Sequence, residues 1–246
     1  MVPHLVRLSL AALVALSLVS CGDDAPSPTS EAAGGPTATP TAAANDASFA
    51  PQLDGPATKY TLLHEDLGPG YLTDVQGTFV LDAASYGATA AFDDAEQGRR
   101  TLEEWGYIGG FETGYIPEQR ETAVLNGGYY INIESHLFED EAGARAAFEY
   151  FADRIDSSPA ERVSAPPLGN ESAAWRLVSG RVPSSTVEAV FHRYLFRRGN
   201  LVVIVATWGA EPLMSIEHAF ELARIVDEKA LGLRPVTEPT PSPTRR

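Results

Sequence analysis

The sequence predicts an α+β domain with a mainly antiparallel sheet and helices packed on one face of that sheet. Apolar residues alternate with a period of two over several segments, and two longer segments repeat at the helical spacing. In each half of the chain the strands come first and a helix follows. This order favours an α+β sandwich, and one interpretation is that the sandwich consists of two related ββα-type halves.

In the first half, apolar and polar residues alternate over residues 129–138, directly after the turn signal Asn126-Gly127. The hairpin partner of this strand is predicted in residues 111–116 or in residues 122–125. Residues 140–155 then carry one apolar stripe, and acidic residues stand at the start, where the helix dipole favours them. The sequence therefore predicts a strand pair followed by a core-facing helix.

Two further helices are predicted earlier in the chain from weaker patterns. Residues 93–105 form the first, with the acidic pair Asp93-Asp94 at its start. Residues 78–91 form the second, although the run 78–81 fits the beginning of a strand equally well.

In the second half, strands are predicted at residues 173–182, 187–197 and 201–208. The apolar run 201–205 is unbroken, which is typical of a central strand that is covered on both faces. A helix with an apolar stripe follows from Ile216 to Ala230, with Ser215 as its N-cap and Gly232 as its stop. This half therefore repeats the order of the first.

Composition and charge exclude several classes of protein. The 246 residues contain 18 Lys and Arg against 33 Asp and Glu, a formal net charge of -15, which disfavours nucleic-acid binding because phosphates require clustered cations. Cysteine occurs once, at Cys21, so an internal disulfide framework and a Cys-type zinc site are both impossible.

The first twenty residues have the pattern of a secretory signal. A short segment ends at the cation Arg7, and the apolar run 8–19 is shorter than the roughly 20 residues that a membrane-spanning helix needs. The motif Leu18-Val19-Ser20-Cys21 resembles the lipobox of bacterial lipoproteins. The resemblance implies cleavage between Ser20 and Cys21 and a lipid on the Cys21 thiol. The alternative is a plain secretory signal that is cut nearby.

Composition divides the rest of the chain. Residues 21–56 are rich in Ala, Pro, Thr, Ser and Gly and are predicted to be a disordered tether that follows the lipidated cysteine. Residues 57–234 are long enough for one globular domain. The Pro- and Thr-rich residues 235–246 are predicted to be a disordered tail. The lipid would anchor the protein to the cell membrane with the domain on the extracytoplasmic side, because two or more acyl chains make stable attachment.

Three segments carry a further family resemblance: residues 102–111, residues 167–173 and residues 196–203, which read Phe-Arg-Arg-Gly-Asn-Leu-Val-Val. They resemble secreted domains of bacterial lipoproteins and are similar to extracellular sensor-type domains of bacterial serine/threonine kinases. Asn170 stands where that pattern has an acidic residue, and the disulfides of those kinase domains are absent. The resemblance implies a non-enzymatic extracytoplasmic module.

Motifs of catalysis and of metal or cofactor binding are absent from the sequence. The segment Leu63-His64-Glu65-Asp66 could contribute oxygen ligands to a metal, but it more readily caps a helical turn. No G-x-S-x-G is present, and the acidic run 139–141 is explained by a helix start. We therefore assign no catalytic residue, metal ligand or cofactor. The histidines of the mature chain are not closely paired, and the two on strands are expected to be half-buried: His64, His136, His192 and His218.

Aromatic residues and glycines receive a packing interpretation as well. Five aromatic residues at strand and helix ends are predicted to pack in the core or at its edge, with a stacking platform for a ligand as the alternative. The glycines around Tyr107 are predicted to serve a bulge or a close backbone approach. The aromatic residues are Trp105, Trp175, Trp208, Tyr129 and Tyr130, and the glycines are Gly106, Gly109 and Gly110.

Three functions fit these observations. The first is a tethered ligand-binding or sensor-like module, which would contain a concave pocket. The second is a structural or assembly lipoprotein of the cell envelope, which would show a contiguous apolar patch. The third is a hydrolase, which requires titratable groups that converge in a cleft.

Overall fold

A computed structural model describes residues 48–183 and 185–236 of the chain. Seven strands form one antiparallel sheet in the order β1-β2-β3-β7-β6-β5-β4. The strands are β1 Tyr71–Leu81, β2 Tyr107–Pro117, β3 Tyr130–Phe138, β4 Glu161–Arg162, β5 Glu171–Arg181, β6 Glu188–Arg198 and β7 Leu201–Ala210. The helices are α1 His64–Leu67, α2 Ala83–Gly87, α3 Ala95–Glu104, α4 Arg120–Val124, α5 Glu141–Asp156 and α6 Ile216–Ala230, and a single 3-10 turn spans Ala57–Lys59.

The predicted α+β class with a mainly antiparallel sheet is confirmed. The first half contributes the meander β1-β2-β3 and then α5, and the second half contributes β5-β6-β7 and then α6. The two meanders join where β3 pairs with β7 at the centre of the sheet. Strand β2 contains residues 111–116, so the first of the two predicted hairpin partners is the real one, while residues 122–125 fall largely in α4.

The helices lie on both faces of the sheet, so the prediction of a single helical face was wrong. Helix α5 packs with Val202 and Ile204 in one core, and α6 packs with Val203 and Val205 in the other. Successive side chains of a strand point to opposite faces, so an unbroken apolar strand exposes apolar surface on both sides. Strand β7 is such a strand, and each of its faces therefore needs its own cover.

The helix starts follow the predicted dipole and capping rules. The carboxylate of Asp94 accepts the N–H of Gln97 at 2.8 Å, and that of Asp140 accepts the N–H of Gly143 at 2.8 Å. Ser215 stands at the N-cap position of α6. Residues 78–91, which the sequence predicts as a helix or as the beginning of a strand, contain the end of β1 and then the short helix α2. The strand alternative is therefore confirmed up to Leu81.

The N-terminal segment that precedes the 3-10 turn is held against the domain. The side chain of Asn200 accepts the N–H of Leu53 at 2.7 Å and donates to the carbonyl of Leu53 at 3.0 Å. Arg198 and Asn170 donate to the carbonyl of Phe49 at 3.0 and 3.1 Å. Residues 49–53, which the sequence assigns to the predicted tether, are therefore hydrogen-bonded to the domain. We call residues 49–53 the N-terminal strap.

Gly199 explains why the strap can lie so close to the β6–β7 turn. Its φ is +56°, and a Cβ built at this position would lie 1.8 Å from the carbonyl oxygen of Pro51. Any side chain would strain the backbone and push the strap away. The tight turn between β6 and β7 is therefore also the docking point of the strap.

Candidate functional site

A pocket of about 360 Å³ opens beside α6. Its walls come from α1, from the start of β1, from the residues around the start of β3, and from the N-terminal half of α6. The volume falls in the range of small-ligand sites, which is about 300–1,000 Å³. We call this cavity the α6 pocket.

Two tyrosines form an aromatic wall of the α6 pocket. The rings of Tyr71 and Tyr129 meet edge to face with centroids 6.0 Å apart, and Tyr129 also meets the ring of His218 at 5.0 Å. Burial raises the pKa of both tyrosines above its ordinary value. Both phenols are therefore neutral at physiological pH, and their ring faces carry the negative part of the aromatic quadrupole.

The rim of the pocket is acidic. Glu217 and Glu221 project from successive turns of α6, and Asp66 comes from α1. Hydrogen bonds from Ser215 and from the backbone hold the pKa of Glu217 below its usual value, so this carboxylate is ionised at neutral pH. Glu221 forms an ion pair with Arg224 at 2.7 Å.

A buried lysine fixes α1 against α6 and so shapes the pocket. The ammonium of Lys229 is 3% exposed and donates to Asp66 Oδ2 at 2.6 Å and to the carbonyl of Thr61 at 2.7 Å. The other hydrogen bond of Asp66 Oδ2 comes from the N–H of Leu63 at 2.7 Å. The Asp66 charge is thus neutralised inside the protein, and the hydrogen bond from Leu63 is the helical-turn cap that the sequence favours over a metal ligand.

The four histidines lie on four different elements of the fold. His64 is on the exposed helix α1 and His218 lines the α6 pocket. His136 and His192 are fully buried, at 0% and 3% exposure, and not half-buried as predicted. Within the described ranges, no three His, Cys, Asp or Glu side chains come together as metal ligands.

His136 belongs to a polar chain on the opposite face, under α2 and α5. Tyr86 donates its hydroxyl proton to Glu134 Oε2 at 3.1 Å, and His136 Nε2 lies 3.5 Å from the same oxygen. On the other side of the ring, the Tyr107 hydroxyl lies 3.2 Å from His136 Nδ1. A Cβ at Gly110 would lie 2.3 Å from that hydroxyl, so the predicted close approach at this glycine is confirmed. We call these four side chains the Tyr–Glu–His chain.

The Tyr–Glu–His chain holds a buried carboxylate, that of Glu134. Burial raises the pKa of Glu134, but the hydrogen bonds and charge of His136 and the hydroxyl of Tyr86 outweigh it, so the pKa lies below its ordinary value. Burial and the Glu134 charge raise the pKa of both Tyr86 and Tyr107 well above the usual value. The chain therefore stabilises one carboxylate, and its histidine is 0% exposed to any substrate.

The predicted aromatic residues divide between packing and the pocket. Trp175 is 1% exposed in the α5 core, Trp105 packs against that core, and Tyr130 meets Trp208 edge to face at 5.1 Å. Tyr129 is the member that lines the α6 pocket. The packing interpretation is confirmed for the first four, and the ligand-platform alternative remains open for Tyr129.

The predicted lipidation and cleavage positions, Cys21 and Ser20, lie outside the described residues. So does the predicted tail from residue 237 onward. Within the described part of the chain, no helix combines the length and the apolar character that a membrane crossing requires.

Sequence reasoning did not identify the α6 pocket. The rim residues Glu217 and Glu221 are four positions apart on a strongly amphipathic helix, which places them on one side of α6. That spacing was the available signal for the acidic rim. The position of Tyr71 opposite Tyr129 has no comparable signal, because the two residues are separated by a long stretch of chain.

Comparison with known proteins gives a likeness to solved structures. No protein-family model matches the chain, and no curated protein matches it either. The fold is similar to the extracellular domain of PknH from Mycobacterium tuberculosis, with 14% sequence identity and a TM-score of 0.44. The similarity covers 71% of this chain and 95% of that domain. A likeness of this size assigns neither a ligand nor an activity to this chain.

Proposed function

We propose that this protein is a membrane-anchored extracytoplasmic lipoprotein whose domain is a ligand-binding or sensor-like module. The observation that carries the binding role is the α6 pocket, which has the volume of a small-ligand site and combines an apolar floor with a few polar groups. A binding module needs such a concavity, whereas a purely structural lipoprotein does not.

The anchoring part of the proposal rests on the lipobox-like motif that ends at Cys21. A lipid at this cysteine, followed by the residues up to the N-terminal strap, would hold the domain close to the membrane while leaving its faces accessible. The strap supports this arrangement, because Asn200 and Arg198 bind it to the domain at the point where the tether from Cys21 would end.

Mass spectrometry of the protein from its native host tests the anchor. We expect a mature chain that begins at Cys21 and carries the mass of acyl groups. The Cys21→Ser variant should leave the membrane fraction, whereas Ser20→Ala, which keeps a small residue before the cleavage point, should remain there. An unmodified thiol at Cys21 in the mature protein would remove the lipoprotein proposal.

A thermal-shift screen of the full chain tests the binding role. Sugars, short-chain lipids, metal salts, amines and peptides are the compounds, and a ligand of the native state must raise the melting temperature. The variant Ile225→Trp places a large ring in the α6 pocket, and Leu177→Trp on β5 is the matched control outside it. We expect a shift that Ile225→Trp abolishes and Leu177→Trp retains. A shift that survives Ile225→Trp would move the site elsewhere.

The two other functions make different predictions in the same experiments. If no compound raises the melting temperature, the result favours the structural or assembly function, because protein contacts need no small ligand. A hydrolase would require titratable groups in an accessible cleft, and the histidine of the Tyr–Glu–His chain, at 0% exposure, cannot be one of them.

A further inference from the structure

We infer that the α6 pocket selects an organic cation, namely an ammonium group on a short apolar stem. This inference rests on the proposed function, because it names the class of ligand that the same pocket takes. Three features of the pocket lead to it: the charge at the rim, the aromatic wall and the apolar floor.

The charge at the rim favours a cation. Among the described residues, no Lys or Arg side chain lines the pocket, while three carboxylates do. Asp66 is neutralised by Lys229 and Glu221 is paired with Arg224. Glu217 forms no ion pair with any described residue, and its depressed pKa keeps it charged. A bound cation would be attracted by this carboxylate, and a bound anion would be repelled by it.

The aromatic wall acts in the same direction. Tyr71 and Tyr129 are neutral at physiological pH because burial raises the pKa of each. The face of a neutral phenol ring attracts an ammonium group, and the attraction grows when the group is partly removed from water. The wall therefore adds to the carboxylate field and does not oppose it.

The floor accounts for the apolar stem. Ile131 from β3 and Leu222 from α6 lie at the base of the pocket and belong to the core on this face. Such a floor offers nothing to a hydrated metal ion, because hard cations require oxygen ligands and these side chains carry none. An alkyl stem would bury its methylene groups against these residues while the ammonium stays at the acidic rim.

Calorimetric titration of the full chain in detergent tests the inference, with the detergent alone as the blank. Pentylammonium, pentanol and pentanoate are straight-chain compounds of five carbons each that differ in the charge of the head group. We expect pentylammonium to bind about tenfold more tightly than pentanol, which corresponds to about 1.4 kcal/mol. Pentanoate should bind more weakly than both. Nα-acetyl-lysinamide presents the same ammonium on a peptide side chain, and its binding would identify a peptide as a possible source.

Charge variants assign the selectivity to the rim. Glu217→Gln should weaken pentylammonium about threefold and leave pentanol unchanged. Glu221→Gln is the second rim variant, and Glu104→Gln, on the exposed end of α3, is the control that removes the same charge at a distance. A loss of affinity in Glu104→Gln equal to that in Glu217→Gln would assign the effect to the overall charge and overturn the inference.

The outcomes separate the inference from the proposed function. If the three compounds bind equally, or if pentanoate binds best, the pocket is a binding site but the inference that it selects cations is wrong. If none of the probes binds and the thermal-shift screen finds no ligand either, the proposed function fails together with the inference. Selective binding of pentylammonium or of Nα-acetyl-lysinamide supports both.

Discussion

The sheet face under α5 and the sheet face under α6 are built from alternate residues of the same strands, and they are covered in different ways. Helices α2, α3 and α5 together cover the first face with large aromatic residues and enclose the Tyr–Glu–His chain. On the second face α6 lies over β6 and β7, and the α6 pocket opens between this helix and the β1–β3 side. One face is thus mainly a packed core, and the other combines a core with a concave surface.

This difference follows from the number of elements on each face. Three helices cover the α5 face, while α6 and the short segment from the strap to α1 cover the other. A single helix is narrower than a sheet of seven strands, so the shorter elements must close the remainder. The gap that they leave is the pocket. The predictions below test this contrast, from the largest expected effect to the smallest.

The strongest test compares the packing of phenylalanines on the two faces. Phe151 of α5 is 1% exposed, whereas Phe220 of α6 is partly buried and packs against Tyr194. Phe151→Ala should lower the free energy of unfolding by about 4 kcal/mol and Phe220→Ala by clearly less, because the cost follows the burial lost and the cavity created. Urea denaturation of the full chain measures both. Equal losses would show that the two faces are packed alike.

The attachment of α6 depends on a buried ion pair. Arg198 is 0% exposed and donates to both oxygens of Asp227, at 2.8 and 2.9 Å. The variant Asp227→Leu removes the carboxylate that balances the buried guanidinium charge and should lower the free energy of unfolding by about 3 kcal/mol. The double variant Arg198→Met with Asp227→Leu should recover much of this loss. A double variant that is no more stable than the single one would show that the uncompensated charge of Arg198 is not the source of the loss.

The N-terminal strap is expected to unfold independently of the two cores that cover the faces of the sheet. Asn200→Ala removes the side chain that bonds Leu53 and the carbonyl of Phe138. We expect a loss of about 2 kcal/mol, because backbone groups that were paired lose their partner. Amide hydrogen exchange should rise at Leu53 before it rises at Val203 in the centre of β7. Uniform exchange at both positions would mean that the strap and the cores unfold together.

The smallest effect is the pH dependence that the Tyr–Glu–His chain adds. The pKa of Glu134 is lower in the folded protein than in the unfolded chain, where it is about 4.3. Its stabilising contribution is therefore present above about pH 4.3 and is lost as the pH falls through the lower folded pKa. We expect the difference in stability between the protein and Glu134→Gln to shrink with acid over that interval. On the other face, Glu217→Gln should show a weaker dependence because Glu217 is exposed.

Much of the secondary structure could be predicted because its signals are local. The unbroken apolar run at residues 201–205 and the apolar stripes of α5 and α6 are local patterns that a short window contains, and the structure confirms them. The same patterns indicate burial without saying which face of the sheet each helix covers. The α+β class was therefore predictable, whereas the prediction that the helices pack on one face was wrong.

The candidate site was much less predictable. Tyr129 was recognised as a possible ligand platform among five aromatic residues, but its partner Tyr71 belongs to a strand at the edge of the sheet. Likewise, Lys229 and Asp66 show no relation in the sequence, although their ion pair brings α1 to α6. Contacts of this kind depend on chain crossings that sequence periodicity does not describe.

The amino-acid sequence by itself determined where the main strands and helices begin and end, because alternation, apolar stripes and capping residues act over a few positions. It also supplies the lipobox-like motif at Cys21, which stays a prediction. Tertiary structure alone decided that α5 and α6 lie on opposite faces, that residues 49–53 bind the β6–β7 turn, and that acids and tyrosines meet in one pocket. The physical reason is distance along the chain: these contacts join residues whose proximity arises only when the sheet has assembled.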